Sequence, residues 1–298
     1  MNIKNVTVAG SGVLGYQIAF QTAFHGFNVT VYDINDEVLE KAKSKFDTLA
    51  TAYKRDLKAN DEQIEFTFKN LNYQSNLAKA VKNADLVIEA IPENLAIKIS
   101  FYKQLANLAP EKTLFATNSS TLLPSMFAEA TGRPEKFCAL HFANTIWINN
   151  TAEIMGHSET SKETFDTIVE FAKAIGMVTL PLHKEQPGYI LNSLLVPFLS
   201  AATNLLINEV SDIETIDKTW MIATGAPIGP FAILDIVGIT TAYNINQMAA
   251  QKTNDSLKIR TVEYLKKNFI DQNKLGVATG EGFYKYPNPA YKDKDFLK

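Results

Sequence analysis

Val6-Thr7-Val8-Ala9-Gly10-Ser11-Gly12-Val13-Leu14-Gly15 is a β-branched run that passes directly into the glycine pattern G-x-G-x-x-G. An apolar helical pattern, Val13 to His25, comes next, and Gly26 stands where a helix end favours a residue of positive φ. Strand, glycine turn and helix in that order are the context in which this pattern binds a dinucleotide. Gly10 permits the tight turn, Gly12 lets the backbone approach a pyrophosphate, and Gly15 lets helix and strand pack closely. Ser11, Val13 and Leu14 complete the loop, which ends in the free N–H groups and dipole of a helix N-terminus. The next strand, Asn28–Tyr32, leads to Asp33, eighteen positions after Gly15. A carboxylate there can bind the adenosine ribose hydroxyls and repel a 2′-phosphate. Ile34 and Asn35 follow with no arginine, so the expected cofactor is NAD rather than NADP.

Outward from this unit the same alternation continues. Strand-like runs stand at Leu86–Ala90, Thr113–Ala116, Phe137–His141, Ala152–Met155 and Met177–Pro181, and helical patterns at Glu37–Lys54, Leu95–Leu108 and Lys162–Ile175. This predicts an α/β fold with a doubly wound, mostly parallel Rossmann-type sheet. Beyond Pro187-Gly188 the strands stop, and helical patterns broken by Gly225, Pro227, Gly229, Pro230 and Gly238 run onward. The expected division is a nucleotide-binding domain over 1–185 and an all-helical domain over 186–298.

Composition excludes more than it selects. With 298 residues, a formal net charge of -3 and 29 basic against 32 acidic residues, nothing favours nucleic acid or an anionic membrane as partner. The single cysteine, Cys138, cannot form an internal disulfide, which fits a reducing cytoplasm. The N-terminus enters its first strand without the pattern of a signal peptide. The most apolar stretch, Leu191 to Leu206, is interrupted by Asn192, Ser193, Pro197, Ser200, Thr203 and Asn204, and reads as a buried helix of a soluble protein.

Three further constellations carry possible chemistry. Glu93 and Lys98, after the strand that leads into Pro92, lie near the strand-order reversal where doubly wound folds bind ligands; a solvated helix start is the plainer alternative. Thr117-Asn118-Ser119-Ser120-Thr121 follows the next strand and either faces a nicotinamide or caps a helix beginning near Pro124. His141 ends another strand, with Glu153 twelve positions later in a following one. A dehydrogenase needs a group that takes the alcohol proton as hydride leaves, and histidine titrates in the right range. A carboxylate on its other ring nitrogen would fix the tautomer and stabilise the imidazolium. His25 sits at a helix end and His157 and His183 in polar loops, and none of the four histidines has metal-ligand spacing.

On these residues the chain resembles the 3-hydroxyacyl-CoA dehydrogenases over essentially its whole length. The family's glycine fingerprint matches Val8 to Gly15, its ribose acid Asp33, its Glu-Asn-Leu-x-x-Lys segment Glu93 to Lys98, and its Asn-Thr-Ser-Ser turn Asn118-Ser119-Ser120. Its His-Phe motif matches His141-Phe142, its dyad glutamate Glu153, and its Pro-Gly-Phe-x-x-Asn motif Pro187-Gly188-Tyr189-Ile190-Leu191-Asn192. Gly225 to Phe231, Asp235 to Gly238 and Gly280 to Tyr284 complete it. The resemblance implies NAD-dependent interconversion of a 3-hydroxyacyl and a 3-oxoacyl compound, with His141, Glu153, Ser120 and Asn192 catalytic. Asp33, Glu93, Lys98, Asn118 and the glycine loop would hold the cofactor, and the helical domain would form a homodimer. Departures from the family point to a reshaped substrate region. Its His-Phe-Phe-Asn-Pro-x-Pro reads His141-Phe142-Ala143-Asn144-Thr145-Ile146-Trp147 here, and the basic cluster expected near CoA phosphates is only Lys54, Arg55 and Lys58. With Trp147 and Trp220 as candidate pocket walls, the pattern looks like the bacterial diketoreductase branch, which reduces β-keto esters and diketones without CoA.

Overall fold

The computed structural model describes residues 2–298. The first strands and helices alternate as Asn5–Ala9 (β1), Gly15–Phe24 (α1), Asn28–Tyr32 (β2), Asp36–Leu57 (α2), Asp61–Lys69 (α3), Leu71–Gln74 (β3), Leu77–Val81 (α4), Leu86–Glu89 (β4), Leu95–Leu108 (α5) and Leu114–Thr117 (β5). Phe137–Phe142 (β6), Thr151–Met155 (β7), Lys162–Ala174 (α6) and Val178–Leu182 (β8) follow. The strands form one eight-stranded sheet in the order β3-β2-β1-β4-β5-β6-β7-β8. All neighbours are parallel except β6 and β7, which run antiparallel. Strand β3 escaped the sequence reading because Leu-Asn-Tyr-Gln carries one buried apolar residue and no β-branched one.

Both faces of the sheet are covered, which is why its central strands are apolar at consecutive positions. Val6, Val8, Val31 and Ile88 pack with Phe20 and Phe46 of the helices on one face, while Val87, Phe115 and Phe137 pack with Tyr102 and Leu105 of α5 on the other. A Cβ at Gly15 would lie 1.8 Å from the Gly10 carbonyl oxygen, so only glycine lets α1 start this close to the turn after β1.

The chain divides into two compact units, one through Ile190 and the other Leu191–Lys298. After Tyr189–Ile207 (α7) come Ile213–Thr224 (α8), Pro230–Val237 (α9), Ile239–Thr253 (α10) and Ser256–Asn268 (α11). Phe231, Leu234, Ile239, Leu265 and Phe269 form the core of the second unit. Two buried carboxylates pin it. Asp217 accepts the backbone N–H groups of Phe231 and Ala232, and Asp235 accepts those of Phe283 and Tyr284. Burial raises both carboxyls above their usual range despite these bonds. A Cβ at Gly229 would meet Asp217 at 2.2 Å, and one at Gly282 would meet Asp235 at 2.0 Å, so the glycine motifs of this half serve its packing.

Helix α7 corrects one expectation. It is long and apolar enough, by length and composition, to cross a membrane, yet most of it is not buried within the chain. Ile190, Leu191, Leu194 and Leu205 are exposed. The interrupting Asn192, Pro197 and Ser200 broke the apolar run without telling which residues shared a face.

Candidate functional site

The glycine loop opens on a crevice between the carboxyl ends of β1 and β4, at the reversal of strand order, where doubly wound folds bind ligands. The backbones meet closely there, since a Cβ on Gly10 (φ 100°) would lie 2.5 Å from the Ala90 carbonyl oxygen. One built on Gly12 would meet nothing within 4 Å, which leaves open space where a phosphate needs it. Leu14 precedes α1 without a side-chain cap, and Val13 is exposed. A cavity of about 840 Å³ continues past Gly12, Asp33, Ile34, Ala90 and Phe101. Asp33 is held at its edge: Oδ2 accepts from the Ser11 N–H at 2.7 Å and Ser11 Oγ at 2.6 Å, and Oδ1 accepts from the Ile34 N–H. The remaining lone pairs of such a fixed carboxylate suit a ribose diol. Sequence reasoning missed Lys45, which lines the same cavity with its Nζ 3.4 Å from the Ser11 carbonyl oxygen. Its seven-residue spacing from Val38, also a wall of the cavity, was the available signal.

Beside this crevice lies a buried polar network that joins β4, β5 and α5. Glu89 is fully buried and pairs with Lys98, also buried, at 2.5 Å. Its carboxylate also takes hydrogen bonds from the Ile91 N–H at 3.0 Å and Thr117 Oγ1 at 2.7 Å. Lys98 reaches Glu93 Oε2 at 3.4 Å. Glu93 Oε1 in turn accepts from Ser119 Oγ at 2.6 Å and from the backbone and hydroxyl of Thr121, both at 2.8 Å. Burial alone would raise the Glu93 carboxyl; the bonds from Ser119 and Thr121 and the charge of Lys98 hold it below its usual range. Glu93 and Lys98 are therefore no solvated helix start. They are the clamp that shapes the turn from Asn118 to Thr121, which leads to a short 3-10 turn at Pro124–Met126. Glu93, Lys98, Asn118 and Ser120 line a cavity of about 310 Å³ with Leu14 and Phe142.

The antiparallel register sets His141 of β6 directly opposite Glu153 of β7. Both are buried, and His141 Nδ1 lies 3.0 Å from Glu153 Oε2. His141 Nε2 lies 3.1 Å from Ser120 Oγ. The other carboxylate oxygen, Glu153 Oε1, accepts the Ile190 N–H at 2.9 Å. Because a carboxylate only accepts, the contact with Glu153 Oε2 assigns the proton to Nδ1, which leaves Nε2 as the basic nitrogen on the side of Ser120. Asn118 joins in by accepting the Phe142 N–H at 3.0 Å. Such a chain can take a proton at Nε2 and stabilise the resulting imidazolium through Glu153.

The remaining sequence candidates lie on other elements. Trp147 donates its indole N–H to Asp56 at 2.9 Å and packs 5.6 Å from the ring of Tyr53, so it ties the segment after β6 to α2. The segment turns at Thr145 (φ 63°) and is held by Gln17 of α1, whose amide bonds Asn144 Oδ1 and the Thr145 N–H. Trp220 belongs to the second unit, on α8, with its ring 4.4 Å from Phe198. Asn192 also belongs to that unit, in the first turn of α7, half-buried. His157 lies in the polar loop after β7, as expected, and is buried there with Nε2 3.1 Å from the Pro134 carbonyl oxygen. Among the described residues no group of His, Cys, Asp and Glu side chains is placed to hold a metal ion.

Comparison with known proteins agrees over both units. Residues 5–186 match the family described as 3-hydroxyacyl-CoA dehydrogenase, NAD binding domain, and residues 188–286 match 3-hydroxyacyl-CoA dehydrogenase, C-terminal domain. The mitochondrial hydroxyacyl-coenzyme A dehydrogenase of Homo sapiens is 36% identical, over 95% of this chain and 91% of its own. The probable 3-hydroxybutyryl-CoA dehydrogenase of Bacillus subtilis (strain 168) is 30% identical, over 96% of this chain and 98% of its own. A solved structure concerned with substrate-directed dual catalysis of dicarbonyl compounds by diketoreductase is 56% identical, with a TM-score of 0.91 over 96% of this chain and 100% of that one.

The buried pair of Glu89 and Lys98 gives a stability test. Lys98→Met should cost about 3–5 kcal/mol in urea unfolding, because it leaves Glu89 charged, buried and without its counter-ion. Glu89→Gln added to Lys98→Met should restore most of that loss. Equal destabilisation in the single and double variants would mean that the two side chains are not energetically coupled.

Proposed function

The chain belongs to the 3-hydroxyacyl-CoA dehydrogenase family, and we propose that His141 and Glu153 form the acid–base centre of its hydride transfer. The enzyme is an NAD-dependent oxidoreductase that interconverts 3-hydroxyacyl and 3-oxoacyl compounds. One observation carries the site assignment: Ser120, His141 and Glu153 form a continuous hydrogen-bonded chain that starts at a cavity-lining residue and ends in a buried carboxylate.

Bound NAD supplies the hydride acceptor, or as NADH the donor. The glycine loop from Gly10 to Gly15 would hold its pyrophosphate, Asp33 its adenosine ribose, and Glu93, Lys98, Asn118 and Ser120 the walls around its nicotinamide half. In oxidation His141 Nε2 takes the 3-hydroxyl proton, and in reduction it returns that proton. Glu153 keeps Nδ1 protonated and faces the positive charge that develops on the ring. Ser120 Oγ, within reach of Nε2, orients the same oxygen of the substrate. Asn192, carried over from the family's motif, is assigned a further hydrogen bond to that oxygen.

The substrate's carrier is a separate proposal. The three cations that the family resemblance sets near the CoA phosphates already have partners in this chain. Lys54 pairs with Asp61 at 2.6 Å, Arg55 grips Asp56 at 2.6 and 2.7 Å, and Lys58 Nζ donates to the Arg55 carbonyl. Asp56 is spoken for as well, since Arg55 and then the Trp147 indole hold its carboxyl down to about 2. This favours a compact β-keto ester or diketone over a CoA thioester, in line with the greater identity to the diketoreductase. We also assign the exposed apolar face of α7, with Leu194 and Leu205, to a second copy of the chain, because a patch of this kind marks an interface. A reducing, cytoplasmic setting fits the buried Cys138, whose thiol burial pushes up to about 12.

His141→Gln should lower kcat about 100- to 10,000-fold while NADH binding changes little, and Glu153→Gln should lower it less. Near-wild-type turnover in His141→Gln would remove the acid–base assignment. Initial rates with NADH on a 3-oxo ester should exceed those on the matching 3-oxoacyl-CoA in kcat/KM; the reverse order would assign the carrier to CoA. Sedimentation should give a dimer for the wild type and a monomer for Leu194→Glu, and a monomeric wild type would leave the α7 face to another partner.

A further inference from the structure

Tyr189 stands where the family motif has phenylalanine, and the mechanism above leaves it without a task. It is fully buried, and its ring lies almost flat on the His141 imidazole, with centroids 4.4 Å apart and planes 13° from parallel. Its hydroxyl donates to the Ser119 carbonyl oxygen at 2.8 Å, one peptide before Ser120. Its backbone has φ 55°, directly after Gly188 at φ 79°. A positive φ is uncommon for a bulky aromatic residue, and it persists only where the surroundings determine it. The fixed turn also points the next N–H, that of Ile190, at Glu153.

We propose that Tyr189 is a positioning residue of the acid–base centre, whose ring face stabilises the imidazolium form of His141 and whose hydroxyl fixes the Ser119–Ser120 turn. A positive charge over an aromatic face is attracted by the ring quadrupole, and more so where water is excluded. The proposal rests on His141 being the base. The groups that face the imidazole are Glu153 from β7, Ser120 from the turn after β5 and Tyr189 itself. Glu93 stands behind Ser119, and the buried Cys138 lies on β6. Burial, then the charges of Glu93 and its neighbours, hold the phenol well above its ordinary range, so the hydroxyl stays a donor. Ring and hydroxyl act on different partners and can be separated.

The test is the pH profile of kcat for alcohol oxidation, whose acid limb reports protonation of the base. Tyr189→Phe keeps the ring and removes the bond to Ser119, so kcat should fall about fivefold with the limb unmoved. Pentafluorophenylalanine at position 189 keeps the shape of phenylalanine and withdraws the negative face. Its limb should lie about 0.5–1 pH unit below that of Tyr189→Phe, because the imidazolium loses support. Tyr189→Leu should move the limb the same way. A fluorinated variant with an unmoved limb would overturn the role of the ring face, and a Tyr189→Phe enzyme with unchanged kcat would overturn that of the hydroxyl. His141→Gln run alongside separates this from failure of the dyad reading: if the wild-type limb persists in that variant, His141 is not the titrating base.

Discussion

One reversed strand pairing organises the site. Six parallel strands bring their carboxyl ends to a common edge, and β7 then runs back along β6 so that Glu153 faces His141. Side chains alternate across a sheet with a period of two, so a slip of one residue would send the carboxylate to the opposite face. The register is enforced by what lies beside the dyad: Leu140 opposite Ile154 and Phe142 opposite Ala152, all buried in the core. The same apolar packing that stabilises the sheet thus places a histidine and a glutamate at hydrogen-bonding distance, both on strands rather than on the loop that joins them.

The polar groups around this pair are arranged as a rigid frame. Glu89 and Lys98 are removed from water, which costs free energy unless every remaining lone pair is satisfied. Here the Ile91 N–H and Thr117 hydroxyl complete Glu89, while Glu93 receives the turn that carries Ser119 and Thr121. That turn presents Ser120 to His141 from one side. The start of α7 presents the Ile190 N–H to Glu153 from another. Preorganised donors of this kind stabilise developing charge without having to reorient during the reaction.

Much of this was legible in the sequence because the signals were local. The glycine loop sits between one strand and one helix, and Asp33 ends the next strand, so their roles follow from adjacent residues. The His141–Glu153 pairing was readable once two strands were recognised. What escaped depended on distant partners. Glu89 sits in an apolar strand whose counter-ion is nine residues away on α5, and Lys45 reaches the glycine loop from α2. The exposed face of α7 was hidden by composition, since an apolar helix reads as buried whether its cover comes from the same chain or not. The contacts of Trp147 with Asp56 and Tyr53 were equally hidden, because both partners lie on α2, far away in the sequence.

The proton inventory of the dyad ties these parts to the direction of the chemistry. With Ile190 donating to one oxygen of Glu153 and the ring to the other, the carboxylate has no call for a proton of its own. In the proposed mechanism the histidine keeps its proton on Nδ1 and offers a lone pair at Nε2 for oxidation of an alcohol. Reduction requires the imidazolium instead. In the proposed mechanism that form would be faced by the carboxylate of Glu153 and by the aromatic ring of Tyr189 stacked on the imidazole. Oxidation and reduction share one transition state, so the groups that stabilise the developing charge on His141 in one direction serve the other equally.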